Sequence, residues 1–308
     1  MNTYVARPLA AAASPTVARR PNATAIAVAG LVMCAGWWVT RGAPGWVAMW
    51  VIAGTEFLVV KVVTLRGQVG RSSPGWIAAY MTAWPGMNAA AFLRRCDGSR
   101  VATPRAGELG FAVAKLAFGL VLVTWATCHA TDAPPLAVAW IGMLGIIFTL
   151  HFGAFHLVSW LWRWSGVDAP PIMRAPLAAP SLAEFWSERW NVAFAESARR
   201  LLLRPLARRW GVRRAGAFVF LASGLVHETV ISLPARGGWG GPTLYFLLQA
   251  AGIAAEKSDV GRRFGLGRGA RGWAWMLAVT ALPLPLLFHA PFAERVILPL
   301  FRFLKEAL

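Results

Sequence analysis

The sequence predicts an all-α fold, a polytopic integral membrane helix bundle of about seven or eight spans at roughly 20 apolar residues each. Three observations carry that expectation. Of 308 residues, 57% are hydrophobic and only 14% are charged, against about 25% charge in soluble domains. The apolar residues fall in long runs separated by basic connections. Seventeen Trp stand beside only 3 Tyr, which suits anchoring by indole rings at the membrane interfaces. The expected organisation is a disordered N-terminal tail over 1–22 and a single membrane-embedded domain over 23–308, whose core is 181–234. The tail is Ala/Pro-rich and basic, and the apolar run after it reads as a first span rather than a removed signal.

That first span covers 24–39 and ends at Arg41 and the turn Gly42-Ala43-Pro44. The second covers 45–65 and contains Glu56 and Lys61, five residues apart and so not squarely facing on a helix; Lys61 is expected to snorkel to the interface. Residues 66–106 form a basic connection with Arg66, Arg71, Arg94, Arg95, Arg100 and Arg105. Within it, 76–93 is apolar but broken at Pro85-Gly86, too short on either side to span, and reads as an interfacial or re-entrant segment. A third span covers 109–128. A fourth runs from 136 to 164, either one long tilted helix or a bent pair. After the basic stretch 163–214 comes a fifth span, 215–233. A sixth covers 243–255, and a seventh, loosened by Pro283 and Pro285, covers 273–289, followed by a short apolar tail.

The net charge is +18, from 31 Lys and Arg against 13 Asp and Glu. A soluble protein this basic would suggest nucleic acid. Here the basic residues cluster in the N-terminus, 66–106, 163–214 and 256–271, alternating with the poor loops 41–44, 129–135 and 235–241. All rich loops face the cytoplasm if the N-terminus does. The excess is therefore topological, and the anionic partners it could serve are lipid head groups or an anionic cofactor such as a coenzyme A, not nucleic acid. Cys34, Cys96 and Cys128 are odd in number and share no metal spacing. His151 and His156 lie about 140° apart on a helix, a poor chelating pair; haem ligation through these with His129 and His289 would need a pairing that spacing does not supply. No metal is expected. Gly265-Leu-Gly-Arg-Gly follows no strand and opens no clear helix, so it reads as loop rather than a phosphate fingerprint.

The costliest feature is His227-Glu228 at the centre of the fifth span, since ionisable groups in lipid cost roughly 2.5–3.5 kcal/mol on insertion scales. Ser223 lies one turn before His227 on the same face, and Gly224 permits close approach of another helix or an acyl chain. A neutral buried imidazole can take a proton from an alcohol; a structural histidine bonded across the bundle fits equally well. Upstream, Ser181 with Glu184 three residues on forms a capping box. Leu182, Phe185, Trp186, Ala193 and Phe194 fall on one face of the interfacial amphipathic helix expected to start there, opposite Glu188 and Arg199. Its arginines are mostly explained by head-group contact. The polar run Glu188-Arg189-Trp190-Asn191 is not, and Asn191 offers the donor and acceptor needed to hold a carbonyl.

The run Ser181-Leu182-x-Glu184-Phe185-Trp186-x-x-Arg189-Trp190-Asn191, followed some thirty-five residues later by Ser223-Gly224-Leu225-Val226-His227-Glu228, resembles the wax synthase-like branch of the membrane-bound O-acyltransferases. Trp84-Pro85-Gly86-Met87, His151-Phe152-Gly153 and Pro242-Thr243-Leu244-Tyr245-Phe246 also look like its bacterial members. Ser187-Glu188 departs from the Gly-Arg of many relatives, which alters charge near an acyl donor. The resemblance implies acyl transfer from acyl-CoA, as co-substrate rather than bound cofactor, to a hydroxyl acceptor, with His227 as catalytic base and Asn191 as the second essential polar residue. A long-chain alcohol giving a wax ester is the implied pair; O-acetylation of a small-molecule or lipid hydroxyl, or non-catalytic lipid binding or transport, are the alternatives. Direct transfer is expected, because no Ser or Cys has the setting of a covalent nucleophile. Trp186, Arg189, Trp190, Ser223, Glu228 and His156 are the expected substrate-binding residues, with His156 lining the chamber or hydrogen-bonding within it. Candidates for the nucleotide phosphates are Arg189, Arg199, Arg200, Arg204, Arg208, Arg209, Arg262 and Arg263. The expected location is a bacterial inner membrane, N-terminus cytoplasmic.

Overall fold

A computed structural model describes residues 35–66, 68–70, 72–94 and 103–308. The tail 1–22, most of the predicted first span, and Arg71, Arg95, Arg100, Cys34 and Cys96 lie outside the described residues. Everything else that is regular is helical, and among the described residues no strand forms.

Five helices are long and apolar enough to cross a membrane: α1 (Gly45–Leu65), α3 (Ala106–Cys128), α4 (Pro135–Trp164), α5 (Val192–Ala235) and α7 (Gly269–Leu287). The shorter α2 (Pro74–Ala83) lies between the first two. Between the last two lies α6 (Gly241–Glu256), whose 16 residues reach about 24 Å at 1.5 Å per residue. A last helix, α8 (Leu298–Glu306), ends the chain. On α3, Phe111, Val113, Phe118, Leu120 and Val121 are all exposed. Such a sheath of outward-facing apolar side chains belongs in hydrocarbon, not water. The chain is thus a polytopic helical membrane protein.

Local chemistry sets the ends. Pro134 halts the chain after α3, and Pro135 opens α4 at a first-turn position where its missing N–H costs nothing. The predicted fourth span is one continuous helix of 30 residues, but it widens into a π-helical stretch at Phe148–Ala154; such stretches frequently sit at functional sites. Gly119 and Gly153 bring α3 and α4 together: a Cβ on Gly119 would fall 2.4 Å from the Thr149 nitrogen, and one on Gly153 2.7 Å from the Leu116 Cα. In α5 the left-handed Gly211 (φ 76°) breaks the helix, so the arginine-rich portion before it and the apolar portion after it are separate rods.

The described part of the basic connection, up to residue 94, holds regular structure. The ten residues of α2 reach only about 15 Å, short of a span, and a stretch with no helical structure follows at 84–88. Lys61 is the reason this break is stable. Its side chain is fully buried (0% exposed) and its ammonium donates to the carbonyls of Tyr80, Trp84 (2.6 Å) and Gly86 (2.9 Å), while lying 3.5 Å over the Tyr80 ring. The expected snorkelling is therefore incorrect. An ammonium has three donors and no acceptor, which matches three carbonyls orphaned where α2 ends. Lys61→Met keeps the apolar stem and should leave those carbonyls unpaired, at roughly 1–3 kcal/mol each; a melting temperature equal to wild type in detergent would refute this role.

Three apolar clusters fill the bundle. The largest joins α1, α3, α4, α5 and α6 through residues such as Met49, Val138, Met143, Ile231 and Phe246. A second packs Leu65, Tyr80, Trp84 and Phe92 against Ile172 and Ala193. A third is Ala179, Leu182, Phe185 and Met276. Trp186 borders the first and third, and Trp190 the second and third, so the segment 185–191 is wedged where all three meet.

Candidate functional site

That segment begins as expected, with Ser181 Oγ accepting the Glu184 N–H at 3.0 Å. The other half of the capping box does not form, because Glu184 accepts from Arg189 Nε at 2.6 Å instead. The buried Glu256 carboxylate, from the end of α6, takes the neighbouring Leu182 and Ala183 amides at 2.7 and 3.4 Å. The amphipathic helix expected from 181 onward is not continuous. A helical turn at Leu182–Glu184 runs into a π turn at Phe185–Arg189, closed by the Trp190 N–H donating to Phe185 O at 2.8 Å. Asn191 then adopts the left-handed region (φ 40°) and α5 starts at Val192. A helix cannot pass through a left-handed residue, and Asn is among the few side chains that tolerate that conformation.

Asn191 also caps α5. Its Oδ1 faces the Phe194 N–H at 3.3 Å. Only an oxygen can accept there, which fixes the amide orientation. The amide nitrogen is left with two donors and no protein acceptor among the described residues. Arg189 is committed to Glu184 and to the carbonyls of Arg174 and Ala175, clamping the π turn from outside.

His227 ends the α-helical part of α5, where a second π turn, Glu228–Ser232, begins. Its Nδ1 lies 2.7 Å from the Ser223 carbonyl. A carbonyl oxygen only accepts, so Nδ1 carries the proton and Nε2 presents a lone pair. Nε2 has no partner among the described residues. The Ser223 hydroxyl donates to Val219 O of its own helix at 2.9 Å, so Ser223 serves His227 through its backbone.

Glu228 points elsewhere. Its Oε1 accepts from the Gly240 and Thr243 amides at 3.0 and 3.1 Å and from the Thr243 hydroxyl at 2.9 Å, capping the start of α6, and its Oε2 is buried without a partner. Gly224 makes this approach possible, as a Cβ there would fall 2.7 Å from the Thr243 Cα.

An unbroken aromatic chain links the two motifs. The His227 ring packs 4.5 Å from that of Phe246. Phe246 meets Trp186 at 5.6 Å, Trp186 meets Phe185 at 5.1 Å, and Phe185 stacks on Trp190 at 5.6 Å. The π stretch of α4 joins through Phe152, 6.1 Å from Trp190. His156 is not part of this wall: its ring nitrogens meet Glu108 at 2.8 Å and Lys115 at 2.7 Å, both on α3. Glu108 also pairs with Arg163.

Sequence reading missed Gln249. It is fully buried, accepts the Trp186 indole N–H at 3.2 Å and donates to Val279 O at 2.8 Å. It thus fixes the angle of Trp186 against Phe246. An isolated Gln in an apolar helix carried a weak signal, since buried amides are rarely left unpaired. Gln249→Leu should leave the indole N–H and the Val279 carbonyl unpaired, at roughly 1–3 kcal/mol; a lower melting temperature in detergent is the expected result, and melting equal to wild type would count against it.

Fold and site together define a helical membrane protein with two half-exposed polar groups, an amide and an imidazole, held at the ends of an aromatic wall. Comparison with known proteins agrees. Residues 169–248, which contain both motifs, match the model of the membrane bound O-acyl transferase family, bearing out the resemblance to its wax synthase-like branch. Over 101 residues the chain is 34% identical to a long-chain-alcohol O-fatty-acyltransferase of Simmondsia chinensis, covering 30% of this chain and 28% of that protein. Over 112 residues it is 31% identical to a probable long-chain-alcohol O-fatty-acyltransferase 7 of Arabidopsis thaliana, covering 32% and 33%. A probable long-chain-alcohol O-fatty-acyltransferase 3 of the same plant is 34% identical over 113 residues, covering 32% and 33%. The chain thus matches about a third of the length of these relatives.

Proposed function

We propose that this protein is an acyl-CoA-dependent O-acyltransferase that esterifies a long-chain alcohol, giving a wax ester. The observation that carries the reading is the tautomer of His227, whose Nδ1–H is spent on the Ser223 carbonyl, leaving Nε2 as an unpartnered base. The matched segment and the names of its relatives support the same reaction class.

In this reading the alcohol oxygen attacks the thioester carbonyl as its proton passes to His227 Nε2. The carbonyl oxygen becomes an oxyanion, for which the two free N–H donors of Asn191 are the partner. Collapse re-forms the carbonyl and breaks the carbon–sulfur bond, and the imidazolium proton goes to the departing thiolate. The products are ester and free CoA, with no acyl-enzyme. Trp186, Phe246 and Trp190 would line the acyl path. Arg204, Arg208 and Arg209 are exposed on the rod before Gly211 and have no carboxylate partner among the described residues, whereas Arg189 and Arg199 are spent on Glu184, Arg174, Ala175 and Ser187. The first three are therefore the better candidates for the CoA phosphates. The loop charges favour an orientation with the N-terminus and the Asn191 end of the bundle cytoplasmic, and the likeness of the flanking stretches to bacterial members favours a bacterial inner membrane.

The test is purified protein offered acyl-CoAs of varied chain length with a panel of alcohols, read by mass spectrometry. Long-chain esters with matching CoA release are expected. Acetyl esters alone would move the reading to an O-acetyltransferase, and no product with any pair would leave a lipid-binding protein that keeps the fold.

A further inference from the structure

The end of the bundle opposite Asn191 holds a feature that acyl transfer does not use. A cavity of about 470 Å³ lies between the start of α1, the end of α5 and the chain before α8, lined by Trp37, Thr40, Pro44, Gly45, Arg236 and Arg295 among others. The three segments are drawn together at Gly45, where a Cβ would fall 2.8 Å from Arg295 O and 3.1 Å from Pro234 O.

The cavity is strongly positive and has no counter-charge. Arg236 spends one guanidinium N–H group on Arg41 O. Arg295 reaches Ala235 O and Arg236 O, both at 3.3 Å and both through Nη1. A guanidinium carries five donors, so most remain unused on each, and neither arginine pairs with a carboxylate among the described residues. Nothing acidic lines the cavity. The N-terminus of α1, with no side-chain cap and no acid in its first turn, adds to the field. Topology does not explain Arg236, since loops 41–44 and 235–241 are the lysine- and arginine-poor ones, where the usual bias removes cations, and Arg295 is brought to the same side by its contacts with Ala235 O and Arg236 O.

We propose that this cavity is a binding site for a phosphate-bearing anion, held by the forked donors of Arg236 and Arg295. Planar guanidinium pairs bind such groups in two-point geometry. The ligand ties together the ends of α1, α5 and the C-terminal segment. This site is independent of the proposed transfer reaction and is tested without it.

The experiment reads thermal unfolding of the full-length protein in detergent with inorganic phosphate or sodium chloride at equal ionic strength. A parallel arm uses nanodiscs of phosphatidylglycerol or phosphatidylcholine, with native mass spectrometry counting retained lipids. A rise of about 3 °C, the scale for roughly 1 kcal/mol in a chain of this order, is expected with the anionic ligand. The rise should vanish in the double variant Arg236→Gln/Arg295→Gln and be reduced but still measurable in Arg236→Lys/Arg295→Lys, which keeps the charge without the fork; equal melting of all three proteins in sodium chloride separates lost binding from lost folding. A shift with phosphatidylglycerol alone, plus one retained lipid, identifies a lipid head group; a shift with inorganic phosphate alone identifies a free phosphate. No shift and no retained lipid in the wild type, or an equal shift in the Gln variant, overturns the proposal.

Discussion

Asn191→Asp is expected to cut ester formation by at least about 10²-fold, the scale for loss of one oxyanion donor, while leaving the fold intact. Aspartate keeps the two structural duties of the residue: it tolerates the left-handed conformation, and its oxygen can cap Phe194 as Oδ1 does now. It loses the two N–H donors and places a negative charge where one would develop. Asn191→Ala removes everything at once. It should lose activity too, but with a stability loss of about 1–2 kcal/mol from the left-handed backbone and about 1 kcal/mol from the missing cap. The pair of variants separates chemistry from folding. If the Asp variant turned over at a third or more of the wild-type rate with normal melting, Asn191 would be a helix cap and nothing further.

Removal of His227 should be the other severe lesion. His227→Ala deletes the proposed base, and general base catalysis is worth about 10²–10⁴-fold. The ring also packs on Phe246, so some loss of stability is expected, and CoA release must be compared at equal amounts of folded protein. If the two residues act in one step, the double variant Asn191→Asp/His227→Ala should be little worse than the worse single one, because groups acting as a unit are not additive. Wild-type ester formation by His227→Ala would sink the mechanism; fully additive losses would show that the residues act in separate steps.

Much of the bundle was legible because hydropathy and capping are local. Apolar runs placed α1, α3, α4 and α7, and Ser181 was correctly read as an N-cap. The break at Pro85-Gly86 was visible as well, and so was Gly224 as a point of close approach. The contacts that could not be read from the sequence have a common cause. Lys61 looked like a snorkelling residue because its partners are 19 to 25 positions away. Ser223 and Glu228 looked like neighbours in chemistry to His227 because they are neighbours in sequence, yet one bonds its own helix and the other caps α6. His156 was expected to line the chamber or to hydrogen-bond within it, and both its nitrogens are bonded to α3, at Glu108 and Lys115.

By itself, then, the sequence determined a helical membrane protein, the position of the spans α1, α3, α4 and α7, and the two motifs with Asn191 and His227; of the seven or eight spans expected, five helices among the described residues are long and apolar enough to cross. A free-energy sum over adjacent residues decides whether a segment enters lipid, and that sum needs no knowledge of neighbours. Only the tertiary structure decided which lone pairs and donors remain unspent. Inside a bundle every polar atom seeks a partner, and the partner is supplied by whichever helix packs alongside. Packing leaves an amide N–H pair on Asn191 and Nε2 on His227 without a protein partner among the described residues, as it also leaves Thr149 Oγ1, His151 Nδ1 and Glu228 Oε2; none of these can be read from the sequence.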